Sequence, residues 1–151
     1  MKKISILALL ALFLFSCNND DGINENSVVG KWNLTAIINT SIGGTTAPEE
    51  TDTHFYQLNN NGTFERVSIE NGTTTNLNGT FVVTDENFNY GNEDGSIQKF
   101  VELSYSSSNT MFFNCGLIET NKQLLILNAD NKLLNTLSGA CDGFNYEYTK
   151  E

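Results

Sequence analysis

His54-Phe55-Tyr56-Gln57-Leu58-Asn59-Asn60-Asn61-Gly62-Thr63-Phe64-Glu65-Arg66-Val67-Ser68-Ile69 is the stretch that decides the fold. Two runs alternate apolar and polar residues with a period of two, the pattern of half-buried strands. Between them stands Asn61-Gly62, a pair that tolerates positive φ and so closes a hairpin. Tyr56 and Leu58 share one face of the first run. Phe64 and Arg66 are in phase on the second, which aims the chain's only arginine at the same side as two large apolar groups.

The pattern extends in both directions. Upstream, Trp32, Leu34, Ala36 and Ile38 alternate with Lys31, Asn33, Thr35 and Asn39. A Gly- and Thr-rich loop from Ser41 to Thr53 holds the only proline, Pro48. Downstream, Asn71-Gly72 signals a second hairpin, and Leu77, Phe81 and Val83 are in phase after it. Further strands are expected over Asn87–Tyr90, Ile97–Tyr105, Thr110–Ile118, Gln123–Leu127 and Phe144–Thr149. Gln123–Leu127 is apolar on both faces and predicts a strand covered on both sides. A short helix is expected over Asp130–Leu137, because Leu133, Leu134 and Leu137 share a helical face and Ser138-Gly139 would stop it. Strands recur about every ten residues with no long helix between them, which excludes parallel βαβ units. The expectation is an all-β fold: an eight- to nine-stranded antiparallel up-and-down β-barrel, whose closure removes exposed edges.

The 151 residues suffice for one domain and a processing segment. Eighteen Asp and Glu against eight Lys and Arg give a formal charge of −10. No basic surface is available to displace counterions from phosphates, so nucleic acid is excluded as a partner, and anionic headgroups are disfavoured. Charged residues make up 17% and aromatics 11%, too few and too many for a disordered chain.

The first residues read as an address. Met1-Lys2-Lys3 is a positive n-region, and Ile4 to Phe15 is too short an apolar run to span a bilayer. Leu14-Phe15-Ser16-Cys17 looks like a bacterial lipobox, with Leu at −3, a small residue at −1 and Cys17 as the acylated residue. Cleavage before Cys17 would remove two lysines and no acid, so the mature chain would be more acidic still. The expected organisation is a lipoprotein signal peptide over 1–16, a lipidated flexible acidic tether over 17–27 and a barrel domain over 28–151. Asp20-Asp21, just after Cys17, resembles the export signal of surface lipoproteins in one phylum of Gram-negative bacteria. The expected location is the outer membrane of such a bacterium, with the cell surface preferred to the periplasmic face.

An oxidising compartment bears on the other cysteines. Cys115 and Cys141 are expected to form a disulfide, whose loop of roughly 25 residues would restrict the unfolded chain by about 3 kcal/mol. A redox or metal pair is the alternative, but no Cys-x-x-Cys spacing is present and the chain has one His.

Gly30-Lys31-Trp32 opens the first strand, and this Gly-x-Trp resembles the lipocalin signature. Leu58-Asn59-Asn60-Asn61-Gly62-Thr63-Phe64 and the closing Phe144–Tyr148 strand resemble the small lipocalin-like domains of bacterial lipoproteins. The family's later signatures are not visible. The resemblance implies a barrel closed at one end, with Trp32 as a plug beside Gly30. In lipocalins a cation from the last strand lies across the indole, and Lys150 is the candidate here.

The face in phase with Trp32 supplies the candidate lining: Leu34, Tyr56, Leu58, Phe64, Leu77, Phe81, Val101, Leu103, Met111, Phe113 and Tyr146. These residues either line a site for a small apolar molecule, with tyrosyl hydroxyls orienting it, or fill the core. Gly79, on the same face, favours space or a bend. Arg66 is a candidate for a ligand carboxylate, or else it pairs with an internal Glu such as Glu102 or lies at the barrel mouth. His54 belongs to no catalytic constellation, because no Gly-x-Ser-x-Gly elbow is present. Asp85, Asn87 and Asn89 mimic the start of a calcium loop, but the glycine falls one place late and position twelve is Ser96. No cofactor, metal or enzymatic activity is expected. Two functions stay open: a membrane-anchored barrel that binds a small apolar molecule, and a non-catalytic interaction lipoprotein with a filled barrel that contacts protein or glycan.

Overall fold

The computed structural model describes residues 28–86, 96–107, 119, 121–137 and 143–151. Cys17, Cys115 and Cys141, together with Met111, Phe113 and the strands expected over Asn87–Tyr90 and Thr110–Ile118, lie outside the described residues. Nine strands are present among the described residues: β1 Gly30–Asn39, β2 Gly44–Thr46, β3 Asp52–Leu58, β4 Thr63–Glu70, β5 Thr73–Thr84, β6 Ile97–Tyr105, β7 Lys122–Asn128, β8 Leu133–Asn135 and β9 Phe144–Lys150. Every pairing is antiparallel. The sheet runs β2-β1-β3-β4-β5-β6-β7-β8-β9, and β1 also pairs with β9. Eight strands therefore close an up-and-down barrel, and β2 is an extra strand beside β1.

Local chemistry sets the turns. Gly62 has φ 76°, and its N–H donates to the Asn59 carbonyl at 3.1 Å. Asn71 and Gly72 both have positive φ (49° and 76°), as a tight two-residue hairpin needs. The β7–β8 turn is held by Asn128, whose Oδ1 accepts from the N–H groups of Asp130 and Lys132.

The interior follows the alternation. One apolar cluster lies inside the barrel, built on Trp32, Leu34, Tyr56, Leu58, Phe64, Val101, Leu103, Leu125, Leu127, Leu133 and Tyr148. A second, Phe100, Leu124, Ile126 and Leu137, lies on the outer face of β6 and β7. The double-sided strand at Gln123–Leu127 is thus buried on both faces, as its sequence predicts.

Three expectations need correction. The helix over Asp130–Leu137 is replaced by a turn and β8. Leu133 joins the inner cluster and packed Leu134 the outer one, so adjacent leucines serve opposite faces of a strand rather than one face of a helix. In β1 a register shift between Leu34 and Ala36 reverses the phase. Ile37, and not Ala36 or Ile38, packs against the interior. Finally, β2 occupies part of the expected loop; it is short and fully exposed, so it carries no burial pattern to read.

Candidate functional site

Along most strands the interior passes from apolar to hydrogen-bonding residues, and the ladder joins the two halves, pairing Trp32 with Tyr56 and Leu103 with Gln123. Trp32 lies toward the end that carries the β3–β4 turn, the β7–β8 turn and the C-terminus. There it is 1% exposed, and its Nε1–H donates to the Val28 carbonyl at 2.7 Å. Lys150 Nζ stands 5.7 Å from the indole centroid. Gly30 permits this approach. Its φ is +138°, and a Cβ there would lie 2.6 Å from Lys150 Cε. The three residues expected to form the plug are therefore brought together. Leu34, Leu58, Phe64, Val101, Leu103, Leu125, Leu127 and Leu133 continue this half as an apolar core, with Leu77 and Phe81 partly buried against it.

The other half is polar. Tyr105 ends β6, Gln123 begins β7, Asn135 ends β8 and Tyr146 lies near the start of β9, so all four sit toward the opposite end. Tyr56, Arg66, His54 and Ser68 join them from β3 and β4, where Tyr56 pairs with Arg66 and His54 with Ser68. Gln123 Oε1 accepts from the Tyr56 hydroxyl at 2.9 Å and from the Tyr105 hydroxyl at 2.6 Å. The Tyr148 hydroxyl and His54 Nδ1 form a hydrogen bond at 3.1 Å. The rings interlock: Tyr56 meets Tyr148 edge-on at 5.1 Å, His54 meets Tyr146 at 5.1 Å, and Phe64 meets Tyr105 at 4.9 Å. The Arg66 guanidinium lies 5.9 Å from the Tyr56 ring centroid.

Burial governs the electrostatics here. His54 is pushed down to about 3, first by desolvation and then by the positive charge of Arg66. Burial also raises the phenols of Tyr105 and Tyr148 well above their usual value, so both stay neutral. Arg66 is opposed by burial, but the neighbouring tyrosines and Glu70 outweigh it, and its pKa moves up. The interior thus combines one fixed cation, a neutral imidazole and neutral phenols. Glu102 is not the partner of Arg66; it points outward and binds Lys122 at 3.1 Å. Among the described residues, acids in phase with the interior occur only at the barrel rims: Asp52 and Glu70 at one end, Asp85 at the other. No group of three or more His, Cys, Asp or Glu among the described residues could hold a metal ion.

The neutral His54 makes stability depend on pH. The unfolded chain protonates His54 near 6.5, while the folded chain resists until about 3. Between these values the unfolded state binds more protons, so stability rises with pH and falls on acidification. The expected slope is about 1.4 kcal/mol per pH unit within that window. Urea midpoints measured from pH 7 to pH 4 check this. His54→Phe should flatten the slope, and an unchanged slope would show that His54 does not titrate in this way.

Sequence reasoning placed Leu34, Tyr56, Leu58, Phe64, Arg66, Phe81, Leu103 and Tyr146 on the inner face, and the structure brings them there. It missed Gln123, Asn135 and Tyr148 as members of the polar half. Gln123 is in phase with Leu125, but the four apolar residues that follow it make the whole run look apolar. Asn135 was hidden by the expected helix. No protein-family model matches the chain, and neither the curated proteins nor the solved structures contain a match.

Proposed function

We propose that this chain is a lipid-anchored, lipocalin-like lipoprotein whose barrel binds a small amphipathic molecule, mostly apolar, with its polar end at the tyrosine-rich half. The observation that carries the reading is the division of the interior. Leu, Val and Phe crowd the Trp32 end, while hydrogen-bonding groups gather at the other. Binding sites that orient a ligand combine an apolar lining with a few placed polar groups, and this interior has both. The candidate lining is Leu34, Tyr56, Leu58, Phe64, Arg66, Phe81, Leu103 and Tyr146. Acylation of Cys17 would hold the barrel at the outer membrane of a Gram-negative bacterium, and the acidic tether favours the cell surface. The protein is read as non-catalytic.

A second reading has its own support. Tyr56 packs edge-on against Tyr148, and Phe64 edge-on against Tyr105, inside the barrel. A filled barrel that contacts protein or glycan through its loops would use the same packing. Native mass spectrometry of the full chain purified from its host decides between them. A discrete bound mass in repeated preparations is expected. Consistently empty protein that also fails to take up lipophilic fluorophores would leave the filled-barrel reading. Anchoring is tested separately: radiolabelled palmitate should enter the chain and should not enter Cys17→Ser.

A further inference from the structure

We propose that Asn71 is a site of spontaneous covalent modification: loss of its side-chain amide converts the β4–β5 turn to aspartate and isoaspartate, while the fold protects the chain's other two Asn-Gly pairs. The proposal does not depend on whether the barrel holds a ligand.

The triplet Asn-Gly-Thr occurs three times, at 61–63, 71–73 and 78–80. An Asn followed by Gly is open to this chemistry because glycine has no side chain to hinder its own nitrogen and leaves the backbone free to turn. The Gly nitrogen gives up its proton and attacks Cγ of the Asn before it. The Cγ–Nδ2 bond breaks, ammonia leaves with a proton, and a cyclic succinimide closes. Water then opens one of the two carbonyl–nitrogen bonds of the ring. One opening gives aspartate; the other gives isoaspartate, with the main chain routed through the former side chain. Water is the only co-reactant. The triplet is identical at the three sites, so the fold decides which reacts. The attacking nitrogen must leave its hydrogen bond and the backbone must turn, so each pair reacts as readily as its surroundings open.

Two of the pairs are held. Asn61 Oδ1 accepts from the N–H of Thr63 at 3.1 Å and from its hydroxyl at 2.6 Å, and Gly62 N–H donates to the Asn59 carbonyl at 3.1 Å. Electrophile and nucleophile are both engaged there. Asn78 and Gly79 lie inside β5, where Asn78 pairs with Glu65, and Gly79 with Phe64 on one side and Tyr105 on the other. The Asn78 carbonyl also accepts from Ser106 N–H at 2.9 Å. Opening this pair means parting neighbouring strands.

Asn71-Gly72 has neither protection. Both residues are exposed, and so are Thr73 to Asn76 after them. Gly72 N–H reaches the Thr51 carbonyl only at 3.4 Å, longer than the ~2.9 Å usual for such a bond. A hairpin end of this kind frays at little cost. The consequence is local and specific. The new carboxylate stands beside Glu70, which already faces Asp52 in the ladder. Isoaspartate also adds a methylene to the backbone of a tight turn whose length sets the register of β4 with β5.

The test incubates the full-length chain at mildly alkaline pH, in buffer and in parallel in concentrated guanidinium chloride, until the denatured sample has converted. Peptide mapping by tandem mass spectrometry follows the exchange of NH2 for OH at each Asn. In buffer, Asn71 should convert roughly tenfold faster than Asn61 or Asn78, because the hydrogen bonds that hold those two must be given up first. In guanidinium the three rates should agree to within about twofold, since unfolding removes what distinguishes them. Asn71→Gln, whose longer side chain closes a ring less readily, should abolish the early product and leave positions 61 and 78 unchanged. Equal rates in buffer, an earlier product at Asn61 or Asn78, or an intact Asn71 once the denatured sample has converted would each overturn the proposal. So would a lead for Asn71 that persists in guanidinium, because it would assign the difference to sequence and not to the fold.

Discussion

Gly79→Ala is expected to destabilise the barrel by about 3 kcal/mol or more, the upper range for a forced overpacking of a core. The position lies on the inner face of β5, across from Phe64 in one neighbouring strand and Tyr105 in the other. A Cβ added there would fall 2.0 Å from the Ser104 carbonyl oxygen, 2.9 Å from its carbon and 2.8 Å from Phe64 Cε1. The ring could turn aside, but the backbone of β6 could not do so without breaking its ladder with β5. The glycine is therefore demanded by close approach and not by an unusual φ. Gly44→Ala is the matched control, since a Cβ there meets nothing within 4 Å. Urea unfolding followed by the fluorescence of the single tryptophan would compare them. A Gly79→Ala midpoint close to that of Gly44→Ala would mean that β5 and β6 do not approach so closely.

Gly79 also shows where sequence reading stops. Its phase with Leu77 and Phe81 assigns it to the interior, and a glycine there suggests room or a bend. The sequence does not say that a neighbouring strand fills the space. The same limit applies elsewhere. Alternation at His54–Ile69 and Ile97–Tyr105 predicts strands because side-chain direction reverses at each residue, and this needs no partner to be known. The bulge after Leu34 breaks that rule, and nothing in Thr35 or Ala36 announces it. Leu133 and Leu134 fit a helix as well as a strand over so short a run; only the Asn128–Asn131 turn, which reverses the chain into β8, decides between them. The plug residues Gly30, Trp32 and Lys150 are legible only through the Gly-x-Trp resemblance, since alternation by itself does not mark a plug. The polar half was only partly legible. Its members come from β3, β4, β6, β7, β8 and β9, and their convergence depends on how the sheet closes.

Trp32→Ala is expected to cost about 3–5 kcal/mol, the usual range for removing a large aromatic side chain from a core. Three effects could produce a loss, and their sizes rank them. The indole is 1% exposed and sits in the main interior cluster, so packing is the first. Its Nε1–H donation to the Val28 carbonyl at 2.7 Å is the second, worth roughly 1 kcal/mol net when buried. The approach of Lys150 to the ring is the third; the ammonium is 5.7 Å from the centroid, and such contacts contribute about 0.5–1 kcal/mol where water reaches them. Packing therefore dominates, and three variants separate the terms. Trp32→Phe keeps most of the packing and loses the hydrogen bond, so it should cost less than half as much as Trp32→Ala. Lys150→Met keeps the stem over Gly30 and removes the charge, so it should be nearly neutral. Because the variants at position 32 lack the fluorophore, far-ultraviolet circular dichroism with urea is the measurement. A loss below ~1 kcal/mol for Trp32→Ala would mean that the indole does not close this end of the barrel. A loss for Lys150→Met as large as that for Trp32→Phe would move the plug's strength from packing to the cation.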